Sequence, residues 1–303
     1  MNNNMPPLVS IGMPVLNGGE YLRDALDSLL NQTYYNFELI FSDNGSSDDT
    51  AKIIREYAAK DKRIVPKFQK ENIGAINNFQ FVLKEAHGEY FMWAAHDDKW
   101  QQNYIEELVK IHEEYKDISL VFGQYIMMDE NGLEFQKGRN SLFKNEALVV
   151  NYKHPKRLNA IIYYLDRNPF KFYGLFRTVD LKTIPQKLFL GSPQNSENLF
   201  LILFLIKFKC YEIFNTTYYY RVPFIPKQPK EISENPNFIV PSFWTIEKNF
   251  FVEVNKFFFL QKGSLKYIYI LIMLLAFPLA LAKPTIMKIY YKFRSRFYSC
   301  QKL

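Results

Sequence analysis

Tyr90-Phe91-Met92-Trp93-Ala94-Ala95-His96-Asp97-Asp98-Lys99-Trp100 is the stretch on which the reading of this chain turns. A short apolar run stops abruptly at two adjacent carboxylates. Such a run suits a buried strand ending near Asp97, with the acids at its carboxyl end, where open α/β sheets bind ligands. Two acids at one strand tip repel each other unless a positive group neutralises them, so the pair points to a metal ion holding something anionic. An isolated Asp-Asp would more often be a solvated turn whose acids cap the next helix. The surrounding chain reverses those odds.

Upstream and downstream, strand and helix signals alternate. Val9 to Met13 reads as a strand, and Asn17 with Glu20 resembles a capping pair opening a helix with Leu22, Leu26, Leu29 and Leu30 on one face. Strands follow at Phe37 to Phe41 and Ile64 to Phe68, each leading into a helix, and a further helix carrying Tyr104, Ile105, Leu108 and Val109 precedes a strand from Ser119 to Tyr125. This βαβα order predicts a mostly parallel sheet with helices on both faces and strand tips converging on one crevice. Beyond Tyr125 the pattern loosens into a hairpin turn at Asp129 to Gly132, strand candidates at Phe172 to Arg177 and Tyr218 to Val222, and an apolar helix from Glu197 to Phe208. Three segments result: 1–125, 126–222, and 223–303, the last opening with five prolines up to residue 241.

The chain has 303 residues, 48% of them hydrophobic and 17% aromatic, enough to bury a substantial core. Cys210 and Cys300 are too few for a disulfide framework, and the N-terminus lacks the basic and apolar regions of a signal peptide, which together predict a cytoplasmic protein. The net charge of +7 is uneven: Lys283 to Leu303 holds six Lys/Arg and no acid, directly after an apolar run from Tyr267 to Ala282. As a helix that run would reach roughly 24 Å, short of a hydrocarbon core of about 30 Å, so an interfacial anchor at an anionic membrane face is expected over a clean span. A helix packed on the protein's own core is the alternative. No nucleic-acid recognition motif accompanies the basic residues, and neither a P-loop nor a dinucleotide fingerprint is present.

The order of these pieces resembles the inverting family 2 glycosyltransferases of the GT-A fold. Val9 to Leu22 is similar to that family's first strand, loop and helix; Ser28-Leu29-Leu30-Asn31-Gln32-Thr33, Phe37 to Asp48, Asn72-Ile73-Gly74 and Gly88-Glu89-Tyr90 resemble its later motifs in the right order. The similarity is dense from about residue 8 to 125 and patchy afterwards. It implies a Rossmann-like α/β sheet flanked by helices, to which the apolar and basic C-terminal composition adds the expectation of a helical, partly membrane-associated extension.

The resemblance also implies site roles. Asp43 or Asn44 would read the edge of a nucleotide base, although Asp-Asn-Gly is also a favourable turn by itself. Pro14, Val15 and Leu16 would line the base and ribose pocket, with Asn72 and Gly74 beside them. Asp97-Asp98 corresponds to the family's D-x-D motif, with Ala95 standing where the first acid is usual. Asp98 is expected as the direct ligand of Mg²⁺ or Mn²⁺ and Asp97 to reach ribose or metal, with His96 between them in a supporting or exposed place. Glu197, ahead of the apolar helix, matches the general base, where Asp is usual; a helix-start acid favoured by the dipole is the plain alternative. Gly174 and Arg177 would face the acceptor, and Arg221 the diphosphate.

The expected activity is metal-dependent, inverting transfer of a sugar from a UDP-, dTDP- or GDP-sugar to a glycan or lipid-linked acceptor. The basic, apolar C-terminus places it at the cytoplasmic membrane face, in the assembly of a surface polysaccharide of the O-antigen or capsule type. A nucleotidyltransferase and a non-catalytic nucleotide-sugar binding module are the other readings.

Overall fold

A computed structural model describes residues 6–137, 169–184 and 196–222. The first part follows the alternation: β1 (Val9–Val15), α1 (Leu22–Leu30), β2 (Phe37–Asp43), α2 (Thr50–Ala58), β3 (Ile64–Phe68), α3 (Ala75–Lys84) and β4 (Tyr90–Trp93). Then come β5 (Lys99–Trp100), α4 (Tyr104–Glu114), β6 (Ile118–Met128), β7 (Glu134–Lys137), β8 (Leu175–Arg177), a one-turn helix α5 (Thr178–Leu181), α6 (Ser196–Lys207) and β9 (Lys209–Arg221). All nine strands join one sheet in the order β3-β2-β1-β4-β8-β6-β9-β5, with β7 paired to β6. Residues 8–125 and the later strands therefore share a single sheet.

Each buried strand deals its side chains alternately to the two faces. In β4, Phe91 and Trp93 enter an apolar cluster with Phe172, Phe176, Phe200 and Phe204. Tyr90 and Met92 enter the other, with Ile11, Met13, Leu26, Phe41 and Leu108. Burial on both faces explains why β4 reads as a continuous apolar run. Trp93 lies face to face with Phe172, ring centroids 4.3 Å apart, and meets Phe200 edge-on at 5.8 Å. The start of α6 is thereby packed under the carboxyl half of β4.

Several expectations change. The sheet is mixed, not mostly parallel: β3-β2-β1-β4 are parallel, but β8 runs antiparallel to β4 and β6, and β5 antiparallel to β9. Strand β4 ends at Trp93, not Asp97; after the bond from Ala94 N to Gly12 O (2.9 Å) the chain leaves β1 and crosses to β9. The Asn17/Glu20 capping pair does not form, because α1 begins after Tyr21 with no side-chain cap. Pro169–Tyr173 is a 3-10 turn, so only Leu175–Arg177 of that candidate is strand, whereas β9 is far longer than Tyr218 to Val222. The hairpin turn at Asp129 to Gly132 is present, with Asp129 Oδ1 accepting from Asn131 N at 2.9 Å and Leu133 N at 2.8 Å. Among the described residues no helix is long and apolar enough to cross a membrane; the run 267–282, the proline-rich stretch 223–241 and the basic tail lie outside them.

His112 on α4 is fully buried, with Nε2 2.9 Å from Leu175 O and its ring stacked on Tyr90 at 4.6 Å. Burial holds it neutral, lowering its pKa from 6.5 to about 4. Between those values the unfolded chain binds a proton that the folded chain refuses, so stability falls as pH drops from 6.5 towards 4. The contribution reaches ~3 kcal/mol, from about 1.4 kcal/mol per unit. Urea midpoints for wild type and His112→Phe at pH 7 and pH 4.5 should show a shallower acid loss in the variant; equal slopes would exclude His112 as the group responsible.

Candidate active site

The carboxyl ends of β1 and β2 are zipped together by their own loops. Asn17, with φ of 53°, accepts on Oδ1 from Ser47 N at 2.9 Å and donates its backbone N–H to Ser46 Oγ at 2.9 Å. Gly18 N donates to Thr50 Oγ1 at 2.9 Å, and Gly19 N to Asp48 Oδ2 at 2.9 Å. Burial pushes the Asp48 carboxyl up, but hydrogen bonds from Thr50 and Gly19 outweigh it and leave it below the usual range. The Ser-Ser-Asp-Asp-Thr stretch is thus a latch for the first loop. Gly18 has a packing reason too: an added Cβ would lie 2.5 Å from the His96 ring and 2.7 Å from Val15. His96 is therefore seated on this loop.

Inside the latch, Asp43 is buried, with Oδ1 accepting from Ser46 N at 3.0 Å. In register it sits between Val15 on β1 and Phe68 on β3. Leu16 and Phe68 are 41% and 39% exposed, so two apolar side chains flank this acid at the open end of the sheet. Asn44 is spent structurally: Nδ2 donates to Asn72 Oδ1 (2.9 Å) and Oδ1 accepts from Ile73 N (2.9 Å). Asn72 Oδ1 also accepts from Gly74 N at 2.8 Å. Gly74, at φ 85°, opens α3 in a conformation that L side chains rarely adopt. Pro14, Val15, Leu16, Asp43, Asn44, Asn72 and Gly74 thus gather at one rim.

Asp97 and Asp98 part company. Asp97 is half-buried, whereas Asp98 is fully enclosed. Asp98 Oδ1 accepts from Arg221 N at 2.8 Å, and Oδ2 accepts from the Tyr218 hydroxyl. Burial, then the nearby Asp97 charge, push its pKa up to about 8, against the hydrogen bonds from Tyr218 and Arg221. Both Asp98 oxygens therefore have protein partners, and the residue is fully buried. The chain turns at His96 and Asp97, and Asp98 directly precedes β5, whose pairing with β9 brings it against Tyr218 and Arg221. Of the two, Asp97 is the carboxylate with exposed surface.

Three further candidate residues have protein partners or close packing of their own. Arg177 pairs in register with Tyr90 at the amino end of β4, because β8 is antiparallel; it donates to Lys116 O at 3.1 Å, far from Asp97. Gly174 is buried, and an added Cβ would lie 2.6 Å from Val121 O, so its smallness serves backbone packing. Arg221 is 1% exposed and committed to protein partners. Phe172 and Phe176 are core residues, stacked or edge-on against Trp93. Glu197 lies in the first turn of α6, three residues before Phe200; its side chain is outside the described residues.

Residues that the sequence reading passed over hold this arrangement. The buried Gln32 amide donates to Ser28 O (3.1 Å) and Gln101 O (2.8 Å) and accepts from Ile105 N (3.0 Å), while Ser28 Oγ accepts from Trp100 N at 3.3 Å. The Ser28 to Thr33 motif thus fastens the segment after Asp98 to α1. Ser42 and Asn78 exchange hydrogen bonds of 2.6 and 3.0 Å, fixing α3 to β2. An amide one turn into an otherwise apolar helix face was the available signal for Asn78.

A parallel β3-β2-β1-β4 half-sheet with Asp43 and Asp97 at or beyond the carboxyl ends of its strands is the arrangement of the GT-A glycosyltransferase fold. The sequence model described as glycosyl transferase family 2 matches residues 10–180, and the chain belongs to that family. Among curated relatives, the putative teichuronic acid biosynthesis glycosyltransferase TuaG of Bacillus subtilis is 31% identical over 134 residues, covering 44% of this chain and 53% of that protein. The chain spans 17% to 53% of the length of such relatives. The S. aureus TarS 1-349 complex with UDP superposes with a TM-score of 0.56 at 21% identity, covering 81% of this chain and 65% of TarS. Mannosyltransferase PcManGT from Pyrobaculum calidifontis, in complex with GDP-Man and Mn²⁺, gives 0.51 at 13% identity, covering 96% and 85%. At these identities the structures speak for the fold. Family membership sets the nucleotidyltransferase reading aside.

Proposed function

We propose that the chain transfers a sugar from a nucleotide diphosphate donor, held at the open edge of β1, β2 and β4, to a hydroxyl acceptor with inversion. The observation that supports this best is the division of labour at one rim: Asp43 between exposed Leu16 and Phe68 on one side, half-buried Asp97 on the other. The apolar pair suits the faces of a base and the acid its N–H edge. Diphosphate would then lie towards Asp97.

Among the described residues, no group of three or more His, Cys, Asp or Glu is placed to hold a metal ion. One open carboxylate nevertheless fits Mg²⁺ or Mn²⁺, which are commonly held by one or two carboxylates together with substrate phosphates. We assign that contact to Asp97, with Asp98 fixing the segment from behind. Such a cation, when bound, neutralises charge on the departing nucleoside diphosphate. The acceptor hydroxyl must lose a proton as it attacks, and Glu197 is the proposed base, on a helix whose first turn is packed beneath β4 through Phe200. TuaG's described role and the chain's basic, apolar end support a surface-polysaccharide acceptor at a membrane face.

A thermal-shift screen of UDP, GDP and dTDP, with and without Mn²⁺, tests the donor reading. One nucleotide should raise the melting temperature, and more so with Mn²⁺; no shift with any of them would refute it. Glu197→Gln should keep that shift while transfer falls by about 10² or more. Near-normal turnover would move the base elsewhere, and absence of transfer by the wild type despite tight binding would favour the non-catalytic module.

A further inference from the structure

The geometry points to Arg221 as a positioning residue for Asp97, held in place from outside the crevice by Asp24. This rests on the donor reading above. Arg221 ends β9, three sheet positions from β4 and on the far side of β8 and β6. Its backbone N–H donates to Asp98 Oδ1 at 2.8 Å while its side-chain Nε donates to the Asp97 carbonyl at 2.8 Å. One residue thus grips both members of the acidic pair, by main chain and side chain. The guanidinium continues outward: Nη1 donates to Glu130 O at 2.8 Å and Asp129 O at 3.3 Å, and Nη2 to Asp24 Oδ2 at 3.0 Å. Its plane lies over the Tyr21 ring, 4.5 Å from the centroid.

The strand leaves the β1 ladder at Ala94 and does not rejoin the sheet until Lys99. Arg221 therefore fixes the backbone at Asp97 where no strand pairing does. A buried guanidinium with a planar fork suits this task, and a Lys ammonium would not reach the same set of carbonyls. The clamp joins three separate pieces: helix α1 through Asp24, the β6–β7 hairpin through residues 129 and 130, and the acid-bearing segment. Asp24 is 54% exposed in its side chain, so it can be changed without disturbing a core.

The test uses Asp24→Asn, Arg221→Lys and Arg221→Ala in the full chain. Titration of UDP and GDP with and without Mn²⁺ should show the Mn²⁺-dependent gain in affinity falling about tenfold in Arg221→Ala, and severalfold in the other two, with metal-free affinity little changed. Backbone amide exchange at residues 96–99 should quicken in the same order without ligand. Unchanged exchange there together with a wild-type Mn²⁺ gain in Asp24→Asn and Arg221→Lys would overturn the assignment, whatever their melting temperatures. A wild type that binds neither nucleotide would count against the donor reading instead, while the exchange measurement still judges the clamp.

Discussion

Asp97→Ala is expected to leave the protein folded and to reduce sugar transfer by about 10³-fold, with the Mn²⁺ dependence of nucleotide binding lost. The expectation follows from exposure and commitment. Asp97 is anchored through its carbonyl, which accepts from Arg221 Nε, so the backbone keeps its path when the carboxylate is removed. What disappears is the carboxylate proposed to face the diphosphate, and among the described residues no group of three or more His, Cys, Asp or Glu is placed to hold the cation instead. Melting temperature should change little, since half-buried polar side chains away from core packing rarely contribute much. Circular dichroism and nucleotide titration check both halves. Wild-type Mn²⁺ dependence in this variant would remove Asp97 from the site.

Asp98→Ala should have the opposite signature, a loss of stability of about 3 kcal/mol. The substitution strands the Arg221 N–H and the Tyr218 hydroxyl in a buried place, each at ~1–3 kcal/mol. It also loosens the seam between β5 and β9, where Trp100 opposes Tyr218. Asp98→Asn should cost clearly less. Burial already favours the uncharged acid, raising its pKa to about 8, and Asn keeps an acceptor of the same shape. Urea unfolding of the two variants separates these outcomes. If Asp98→Ala unfolds like wild type but no longer responds to Mn²⁺, Asp98 is the ligand after all.

The first half of the fold was legible because period and punctuation agreed. Leu22, Leu26 and Leu29 spell one helix face, and all three are buried. The β4 run reads as doubly buried and is. The second half was not, because β8 and β9 pair at long range and in mixed directions, which no local pattern encodes. That explains the place of Arg177: its chemistry suited a phosphate, but an antiparallel strand sets it beside Tyr90, at the amino end of β4. Asp98 illustrates the same limit at one residue. Adjacent acids look alike in a sequence, and only the approach of Tyr218 and Arg221, more than a hundred positions later, makes one of them internal. The family motifs proved informative in an unexpected way, since Asn44, Asp48, Gln32 and Asn72 are spent largely on holding loops together.

The chemistry proposed for this rim depends on which carboxylate meets the cation. A crystal grown with Mn²⁺ and the nucleoside diphosphate that stabilises the protein, measured at the manganese absorption edge, locates the ion directly. The prediction is one anomalous peak within bonding distance of the Asp97 carboxylate and of diphosphate oxygen, with Asp98 still bonded to Tyr218 and Arg221. A peak bonded to Asp98, or nucleotide bound away from the tips of β1, β2 and β4, would contradict it.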